Sequence, residues 1–357
     1  MAHEKQTHEL CVSATLECPD FFDVQSSNFC VQVISTTEVL VGNENGCYIS
    51  NINVLTKERT RELIQFRKKE IPSVCCCDDD PNLFFVSCDR SIYSFDKRVS
   101  LESSVNMFSE NSDDINQIKF QTGLLTSCDD AGEIKMFDLK TNQLFRTLRN
   151  KHTNICSSIC YFPNRPNEIV TGGLDSQLFI WDYRRVKILQ AVNTQTILEG
   201  MGDNSVYMFN PPFVHSMDIN ENGKNLATGL GNGTLQVFNI LKGKRVIAPS
   251  ILINHHSTLG VSWVHYLSRA DQASTSILAS GGNDGIVNLW SFPQEMPKKQ
   301  TLPVNRVLTE QEIASHLITQ YNANSKINFL NSAILNDKMF LFVADQTSAI
   351  KLLELKE

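Results

Sequence analysis

An internal repeat constrains the fold of this chain more than any other feature of its sequence. Residues 169–182 (IVTGGLDSQLFIWD) and residues 278–291 (LASGGNDGIVNLWS) align without a gap. In each copy a Thr or Ser stands four residues before an Asp, and a Trp follows that Asp by six residues. Each copy has the pattern of a strand, a tight turn rich in Gly and Asp, and a second strand. The repeat therefore predicts an architecture assembled from similar β-sheet units.

Five weaker copies share this pattern, at residues 40–54, 86–98, 125–140, 227–240 and 343–355. An aromatic or aliphatic residue fills the Trp position in the last six copies: Phe95, Phe137, Trp181, Phe238, Trp290 and Leu353. The first two intervals between them, 42 and 44 residues, match the roughly 40–45 residues of a four-stranded propeller blade. The longer intervals indicate insertions, at residues 186–212 and 293–325, with a short helix expected at residues 310–321. The sequence predicts an all-β fold in which one seven-bladed propeller spans residues 1–357.

The two ends of the chain predict how the ring closes. The last copy leaves only four residues after Leu353, so the outer strand of its blade has no room there. A strand-like run, residues 9–16 (ELCVSATL), precedes the first complete copy. Pairing this N-terminal strand with the last C-terminal blade would complete the sheet and remove an exposed edge. We therefore expect the two termini to share one blade.

The charge of the chain argues against several classes of partner. Its formal net charge is −7 and its pI is about 5.7, whereas a nucleic-acid or anionic-membrane surface needs a basic stripe. The first ten residues lack the apolar core of a signal peptide, and the strongest apolar run, residues 339–344, is too short to span a bilayer. We expect a protein that binds neither nucleic acid nor membrane and resides in the cytoplasm or nucleus.

The cysteines agree with that compartment and argue against a metal site. There are 11, all in the first half of the chain, and Cys75, Cys76 and Cys77 are consecutive. Adjacent cysteines suit a disulfide framework poorly, which favours reduced thiols. Neither this run nor the Cys156/Cys160 pair contains the CxxC doublets of structural zinc, and the chain has no P-loop. The sequence predicts no metal ion and no cofactor.

Two sets of four residues recur with the same internal spacing: His152, Thr171, Asp175 and Trp181, and His256, Ser280, Asp284 and Trp290. Such residues can form one hydrogen-bonded chain, from indole N–H to hydroxyl, to imidazole, to carboxylate. Buried groups of this kind must pair with one another, because each costs free energy when unpaired. The same residue types also suggest a hydrolase triad. Their repetition, with a Trp each time, favours structural tetrads in a protein without catalytic activity.

Charged residues follow the Trp position in three successive copies. These segments read FDKR at residues 95–98, FDLK at residues 137–140 and WDYR at residues 181–184. In each segment an acid ends the strand and a base follows two residues later. On adjacent blades these bases would line one rim of the ring, where Arg can bind a carboxylate through two hydrogen bonds. The rim is a candidate docking surface, and the alternative is a set of solvated charges at strand ends.

With these features together, the repeats resemble WD40 repeats. His152 and His256 stand where the family has the His of a Gly-His pair, although other residues replace the Gly here. The match is strong in the fourth and sixth copies, and it is weaker in the fifth, where Asn232 replaces the turn Asp. The resemblance implies a propeller that holds other proteins together. Many WD40 proteins with a Trp-Asp-any-Arg motif are substrate receptors of cullin-4 ubiquitin ligases, and this motif contacts the large adaptor, damage-specific DNA-binding protein subunit 1.

The resemblance thus implies a set of adaptor-binding residues: Trp181, Asp182, Arg184, Phe95, Asp96, Arg98 and Lys140. Arg184 completes the motif, whereas the motif of Arg98 has Phe instead of Trp, and Lys140 keeps only the charge. On this interpretation the chain is a ligase substrate receptor, monomeric within its complexes, and its opposite face binds the substrate. A scaffold of an unrelated multiprotein assembly is the alternative. Both are protein-binding modules, and the sequence barely separates them.

Overall fold

The structure is a computed structural model that describes residues 9–17, 27–35, 37–51, 61–199, 210–241, 246–254, 260–267, 275–293 and 309–356. These residues form seven antiparallel sheets of four strands each. The inner strand of each sheet contacts the inner strand of the next, and the last contacts the first. The sheets are therefore the blades of a closed ring, and the predicted seven-bladed propeller is confirmed.

The first strand of the chain, β1 (Glu9–Glu17), belongs to the last blade, and the following blades run from the inner strand outward. Blade one contains β2 (Asn28–Val33), β3 (Glu38–Asn43), β4 (Gly46–Asn51) and β5 (Arg61–Glu62). Blade two contains β6 (Val74–Cys76), β7 (Leu83–Cys88), β8 (Ser91–Asp96) and β9 (Asn106–Phe108). Blade three contains β10 (Ile115–Gln121), β11 (Leu124–Asp129), β12 (Ile134–Asp138) and β13 (Gln143–Leu148).

The remaining blades carry two short helices in their connections. Blade four contains β14 (Cys156–Tyr161), β15 (Glu168–Gly173), β16 (Gln177–Asp182) and β17 (Lys187–Asn193), and α1 (Thr194–Glu199) follows it. Blade five contains β18 (Val214–Ile219), β19 (Asn225–Leu230), β20 (Thr234–Leu241) and β21 (Val246–Asn254). Blade six contains β22 (Val261–Leu267), β23 (Thr275–Gly282), β24 (Ile286–Pro293) and, after α2 (Glu310–His316), β25 (Leu317–Asn322). Blade seven begins with β26 (Ile327–Leu335), β27 (Lys338–Asp345) and β28 (Ala349–Lys356).

The two ends of the chain close the ring. β1 pairs antiparallel with β28, from Glu9 opposite Lys356 to Glu17 opposite Ala349. β1 is therefore the outer strand of blade seven. The prediction that the N-terminal strand completes the last C-terminal blade is confirmed, and the pairing covers an edge that would otherwise be exposed.

The two segments predicted as insertions each contain a strand of a blade. β17 lies within residues 186–212, and β25 lies within residues 293–325. These outer strands face solvent on one side, so they lack the continuous apolar runs of the inner strands. The helix expected at residues 310–321 ends earlier, at His316, and the chain continues directly as β25. Residues 200–209 and 294–308 lie outside the described residues.

The core lies between neighbouring blades, whose sheets are covered on both faces. Its largest fully buried side chains are aromatic, among them Phe84, Phe95, Phe137, Trp181, Phe238 and Trp290. Between blades one and two, Cys30, Cys47 and Cys88 join the same packing. None of the described cysteines forms a disulfide. The buried thiols of this interface act as small apolar side chains.

Hydrogen bonds between inner strands tie each blade to the next. In four successive interfaces a side chain at one inner strand accepts a hydrogen bond from a backbone N–H of the following one. We call these side chains staples: Ser73 to Ile118 at 3.1 Å, Gln117 to Ile159 at 2.7 Å, Ser158 to Met217 at 3.1 Å and Ser216 to Val264 at 2.8 Å. At the next interface Trp263 fills the staple position, and its ring centroid lies 4.1 Å from that of Phe329. The staples hold the inner strands around the central channel of the ring.

Candidate functional site

The tetrad of blade four forms one hydrogen-bonded chain. Trp181 Nε1 donates to Thr171 Oγ1 at 2.9 Å, and Thr171 Oγ1 lies 2.8 Å from His152 Nε2. His152 Nδ1 lies 3.1 Å from each Asp175 oxygen. Because Thr171 Oγ1 accepts the indole hydrogen, its own hydrogen is left for His152 Nε2, and the Nδ1–H then donates to Asp175. Every polar group of the set has a partner, in the order that the sequence indicated.

Burial separates this tetrad from solvent. The side chains of His152 and Asp175 are 0% and 4% exposed, and Thr171 on β15 is fully buried. Burial alone would raise the pKa of Asp175, but hydrogen bonds from His152 and from the backbone N–H groups of Thr153 and Gln177 hold it below its usual value. The carboxylate is therefore ionised at neutral pH. A chain of groups enclosed in this way stabilises the blade and cannot reach a substrate.

Gly173, at the end of β15, makes room for this arrangement. A Cβ at this position would lie 2.7 Å from His152 Nδ1 and 2.7 Å from the carbonyl oxygen of Ile155. Any larger residue would push the imidazole away from Asp175. In blade four, the second Gly of the repeated Gly-Gly pair is thus explained by the close approach of the His152 side chain to the backbone.

Blade six repeats the described part of the tetrad. Trp290 Nε1 donates to Ser280 Oγ at 2.8 Å, and both side chains are fully buried. Asp284 Oδ1 accepts the backbone N–H of Ile286 at 3.1 Å, as Asp175 accepts that of Gln177 in blade four. His256 lies outside the described residues. The Trp–Ser pair alone already matches the indole–hydroxyl bond of blade four.

Blade three supports its turn with different residues. Ser127 stands where blade four has Thr171, and its hydroxyl donates to Asn111 Oδ1 at 2.8 Å. Lys135 pairs with Glu133 and also donates to Ser112 Oγ at 3.2 Å. These residues were not predicted from the sequence, because neither Asn nor Lys belongs to the tetrad pattern. Only the rule that a buried hydroxyl needs a partner could have directed attention to them.

A second relay of Asp, His and a hydroxyl lies on the inner strands of blades five, six and seven. Asp218 Oδ2 lies 3.2 Å from His265 Nδ1, and His265 Nε2 lies 2.9 Å from Ser332 Oγ. We call these three residues the channel relay. The side chains of Asp218 and His265 are 21% and 22% exposed. The channel relay was not predicted from the sequence, because its members occur once each, on strands that are far apart in the chain.

The bases predicted to line one rim of the ring follow the third strands of blades two, three and four. Each of these strands ends at an Asp: β8 at Asp96, β12 at Asp138 and β16 at Asp182. Because the three strands are equivalent in neighbouring sheets, the residues after them lie on the same face of the ring. We call the three exposed bases after them the basic rim: Arg98, Lys140 and Arg184.

The acid of each pair fixes the turn that presents the base. Asp96 Oδ1 accepts the backbone N–H of Arg98 at 2.9 Å, and the equivalent bond in blade three is 2.8 Å long. In blade four the bond shifts by one residue, because Asp182 Oδ1 accepts the N–H of Arg185 at 3.1 Å. Short Asp side chains commonly form such bonds to the backbone of a turn. The acids are therefore part of the support of the rim.

Arg98 is held in an ion-pair network while remaining open to solvent. Its Nη2 lies 2.7 Å from an oxygen of Asp96 and 2.7 Å from an oxygen of Asp80. Hydrogen bonds from Arg98 hold the pKa of Asp96 below its usual value. The Arg98 side chain is nevertheless 58% exposed. The acids orient the guanidinium group and leave part of it accessible to a partner.

Three of the residues predicted to bind the adaptor have buried side chains. Phe95 is fully buried, and Trp181 is 2% exposed and bonded to Thr171. Asp182 is 5% exposed and supports the turn. These residues are buried because the end of the third strand packs between blades, with only the turn outside. Of the predicted residues, the bases of the basic rim are the ones with exposed side chains.

The described residues contain neither a cluster of metal ligands nor a membrane-spanning helix. Within the described residues, no three side chains of His, Cys, Asp or Glu are grouped to hold a metal ion. Burial raises the pKa of the Cys30 and Cys76 thiols to about 12, so both stay protonated at neutral pH. In the same part of the chain, every helix is too short or too polar to cross a bilayer.

Comparison with known proteins agrees with this geometry. Residues 142–182, which contain the whole tetrad of blade four, match the family of the WD domain, G-beta repeat. This chain carries a WD40 repeat. It is similar to the WD repeat-containing protein 53 homolog of Dictyostelium discoideum, with 27% identity over 92% of this chain and 91% of that protein. The predicted resemblance to the WD40 family is confirmed.

Other relatives agree with the same fold. A guanine nucleotide-binding protein subunit beta of Solanum tuberosum is 24% identical over 70% of this chain and 65% of its own length. The crystal structure of the WD40 β-propeller domain of Doa1 matches with a TM-score of 0.68, at 12% identity, over 98% of this chain and 97% of that one. At that identity the likeness shows the fold alone. WD40 propellers generally serve as non-catalytic scaffolds for protein–protein interaction, and this chain shares their architecture.

Proposed function

We propose that this chain is a protein-interaction scaffold that serves as a substrate receptor of a cullin-4 RING ubiquitin ligase. In this proposal the basic rim docks on the large adaptor of the ligase, damage-specific DNA-binding protein subunit 1. One observation carries the proposal: three adjacent blades present an exposed base just after the third strand. Neighbouring acids orient Arg98 but leave its side chain 58% exposed, so the exposed part of the rim bases can meet an acidic partner surface.

The backbone beside the rim supports a contact at this turn. Val186, which follows the motif of blade four, has a φ of 54° and is 49% exposed. The equivalent residue of blade three is Asn142, with a φ of 52°, and Asn tolerates this left-handed conformation. A β-branched residue there costs on the order of 1–2 kcal/mol. An exposed apolar side chain kept in this conformation favours a role in binding over a role in folding.

The direct test is a charge reversal at two rim positions. The Arg98→Glu, Arg184→Glu variant replaces attraction by repulsion, and we expect the Kd for the purified adaptor to rise by about 100-fold, or about 2.7 kcal/mol. The matched control is Arg90→Glu, Arg146→Glu, which changes the charge by the same amount. Arg90 lies in the turn between β7 and β8, at the opposite end of the blade, and Arg146 lies on the outer strand β13. The control should bind the adaptor as the parent does.

Affinity purification of the tagged chain separates the two scaffold hypotheses. Recovery of the adaptor by the parent and by the control, but not by the rim variant, supports the receptor role. Equal recovery by all three removes the rim from the interface. If the parent recovers no adaptor and the purified proteins do not bind, a scaffold of an unrelated multiprotein assembly becomes the better explanation.

The strained turn offers a second test of the same surface. Val186→Asn relieves the left-handed backbone, so the variant should be more stable than the parent by up to about 1 kcal/mol. If Val186 contacts the adaptor, the same variant should bind it several-fold more weakly. A gain in stability without any change in binding would exclude this turn from the interface.

A further inference from the structure

The channel relay has no part in the docking proposed above. Its three residues come from three different blades and meet across two blade interfaces: Asp218 on β18, His265 on β22 and Ser332 on β26. The inner strands of blades three, four and five have a bulge at the same point, so their positions can be compared. Lys119 in blade three and Cys160 in blade four occupy the position of Asp218. Because the equivalent residues differ, the channel relay is not a repeated support of the blades.

The carboxylate of the channel relay is firmly held. Asp218 Oδ2 accepts the backbone N–H of Tyr266 at 2.7 Å, and Asp218 Oδ1 accepts that of Ile219 at 3.0 Å. Burial would raise the pKa of Asp218, but its bond to His265 and the positive charge of Lys119 hold it below the usual value. An ionised carboxylate next to Nδ1 keeps the imidazole hydrogen on that atom. His265 Nε2 is then free to accept the hydrogen of the Ser332 hydroxyl.

Ser332 differs from Thr171 of the tetrad in the two properties that decide reactivity. Thr171 is fully buried, and its oxygen already accepts the indole hydrogen of Trp181. Ser332 is partly exposed, and within the described part of the chain its Oγ bonds His265 and no other group. The lone pairs of Ser332 Oγ are therefore available to an electrophile. Its proton has an acceptor 2.9 Å away.

We infer that Ser332 is a nucleophilic serine, activated by His265, that takes an acyl group from small aromatic or apolar esters at the interface of blades six and seven. Trp263 stands two residues before His265 on the same face of β22 and packs on Phe329, which provides an apolar wall nearby. In the reaction a bond forms from Ser332 Oγ to the ester carbonyl carbon, and the bond from that carbon to the alkoxy oxygen breaks. The hydroxyl proton passes through His265 Nε2 to the departing alkoxide. The products are an acylated serine and the free alcohol.

The test uses the full chain and a biotinylated fluorophosphonate, which reacts with activated serines. The Ser332 oxygen bonds to phosphorus, fluoride departs, and His265 takes the proton. We expect one adduct per chain, which mass spectrometry of the digested protein locates at Ser332. Two residues serve as controls within the same molecule and should stay unmodified. One is Thr171, in the buried tetrad, and the other is Ser315, whose hydroxyl donates to the carbonyl oxygen of Glu312 instead of a His.

Two variants connect the adduct to the relay. Ser332→Ala should abolish labelling, and His265→Gln should slow it by about 100-fold or more, the usual contribution of a general base. The melting temperature of each variant shows whether the propeller is intact. If a variant does not fold, the site of the adduct in the parent still decides the question.

Three outcomes would overturn the inference: no adduct on the parent, an adduct located elsewhere, or labelling of His265→Gln at the parental rate. None of these experiments involves the basic rim. The inference can therefore fail while adaptor binding holds, and it can hold while adaptor binding fails.

Discussion

The tetrad of blade four and the channel relay contain the same three groups in the same order, a carboxylate, an imidazole and a hydroxyl, in opposite surroundings. In the tetrad the His152 side chain is 0% exposed, and a Trp donates to the hydroxyl. In the channel relay the His265 side chain is 22% exposed, and no indole reaches the hydroxyl within the described residues. The chemistry of an Asp–His–hydroxyl set is therefore decided by its fourth partner and its access to solvent. Residue types alone do not distinguish a support from a nucleophile.

Burial also determines how much the tetrad and the channel relay each contribute to stability. A buried polar group that loses its partner has no water to replace it, so its full desolvation penalty appears in the free energy of unfolding. A partly exposed group recovers most of its hydrogen bonding from solvent. The tetrad should therefore be sensitive to every substitution, and the channel relay should be tolerant. Matched substitutions in the two sets test this comparison.

The largest difference should appear when the imidazole is removed. His152→Ala leaves the Asp175 carboxylate buried with fewer hydrogen bonds and opens a space against Phe179, whose ring centroid lies 4.7 Å from that of His152. We expect a loss of about 3–4 kcal/mol in the free energy of unfolding. The matched variant His265→Ala should lose about 1 kcal/mol or less. Urea denaturation of both variants measures the difference. Equal losses would show that burial does not make the tetrad more important for stability than the channel relay.

A smaller loss is expected when only the indole hydrogen bond is removed. Trp181→Phe keeps an aromatic ring, as Phe95 and Phe137 do in blades two and three, but deprives Thr171 of its donor. We expect a loss of about 1–2 kcal/mol, from one buried hydrogen bond and some packing. Trp263→Phe is the control at the channel, where the ring is only partly buried. A cost there as large as at Trp181 would contradict the role given to the indole N–H.

The two carboxylates should also differ in acid. The pKa of Asp175 is below its usual value in the folded state, so its contribution is present above the unfolded pKa of about 3.9 and is lost as the pH falls through the folded pKa. In Asp175→Asn this loss is absent, and stability should fall less steeply below about pH 4 than in the parent. Asp218→Asn should flatten the same limb less, because the side chain is 21% exposed. Stability measured from pH 5 to pH 2 tests the order, and parallel curves for Asp175→Asn and the parent would refute it.

The same contrast explains which parts of the molecule could be predicted from sequence. The blades and the tetrad depend on patterns that repeat or lie close together, as His152 and Asp175 do at a separation of 23 residues. The closure by the N-terminal strand could be predicted because the last copy of the repeat lacks an outer strand. The staples and the channel relay join different blades, and His265 is 67 residues from Ser332. A single sequence does not show which residues of two inner strands face each other. For Trp181 the sequence supported two conflicting predictions, a buried indole in the tetrad and a surface residue in the Trp-Asp-any-Arg motif, and the side chain is buried.

The smallest expected effect is that of the Ser332 hydroxyl, and it is the most informative about the channel. In the tetrad the hydroxyl of Thr171 links two buried donors and acceptors, so its removal would leave both without a partner. In Ser332→Ala the imidazole of His265 keeps Asp218 and can bond water, so the free energy of unfolding should change by no more than about 0.5 kcal/mol. Thermal and urea unfolding against the parent would measure this. A loss above about 1.5 kcal/mol would show that Ser332 is a structural residue like Thr171. A neutral result would show that stability does not require this hydroxyl, which lies beside a base that can activate it.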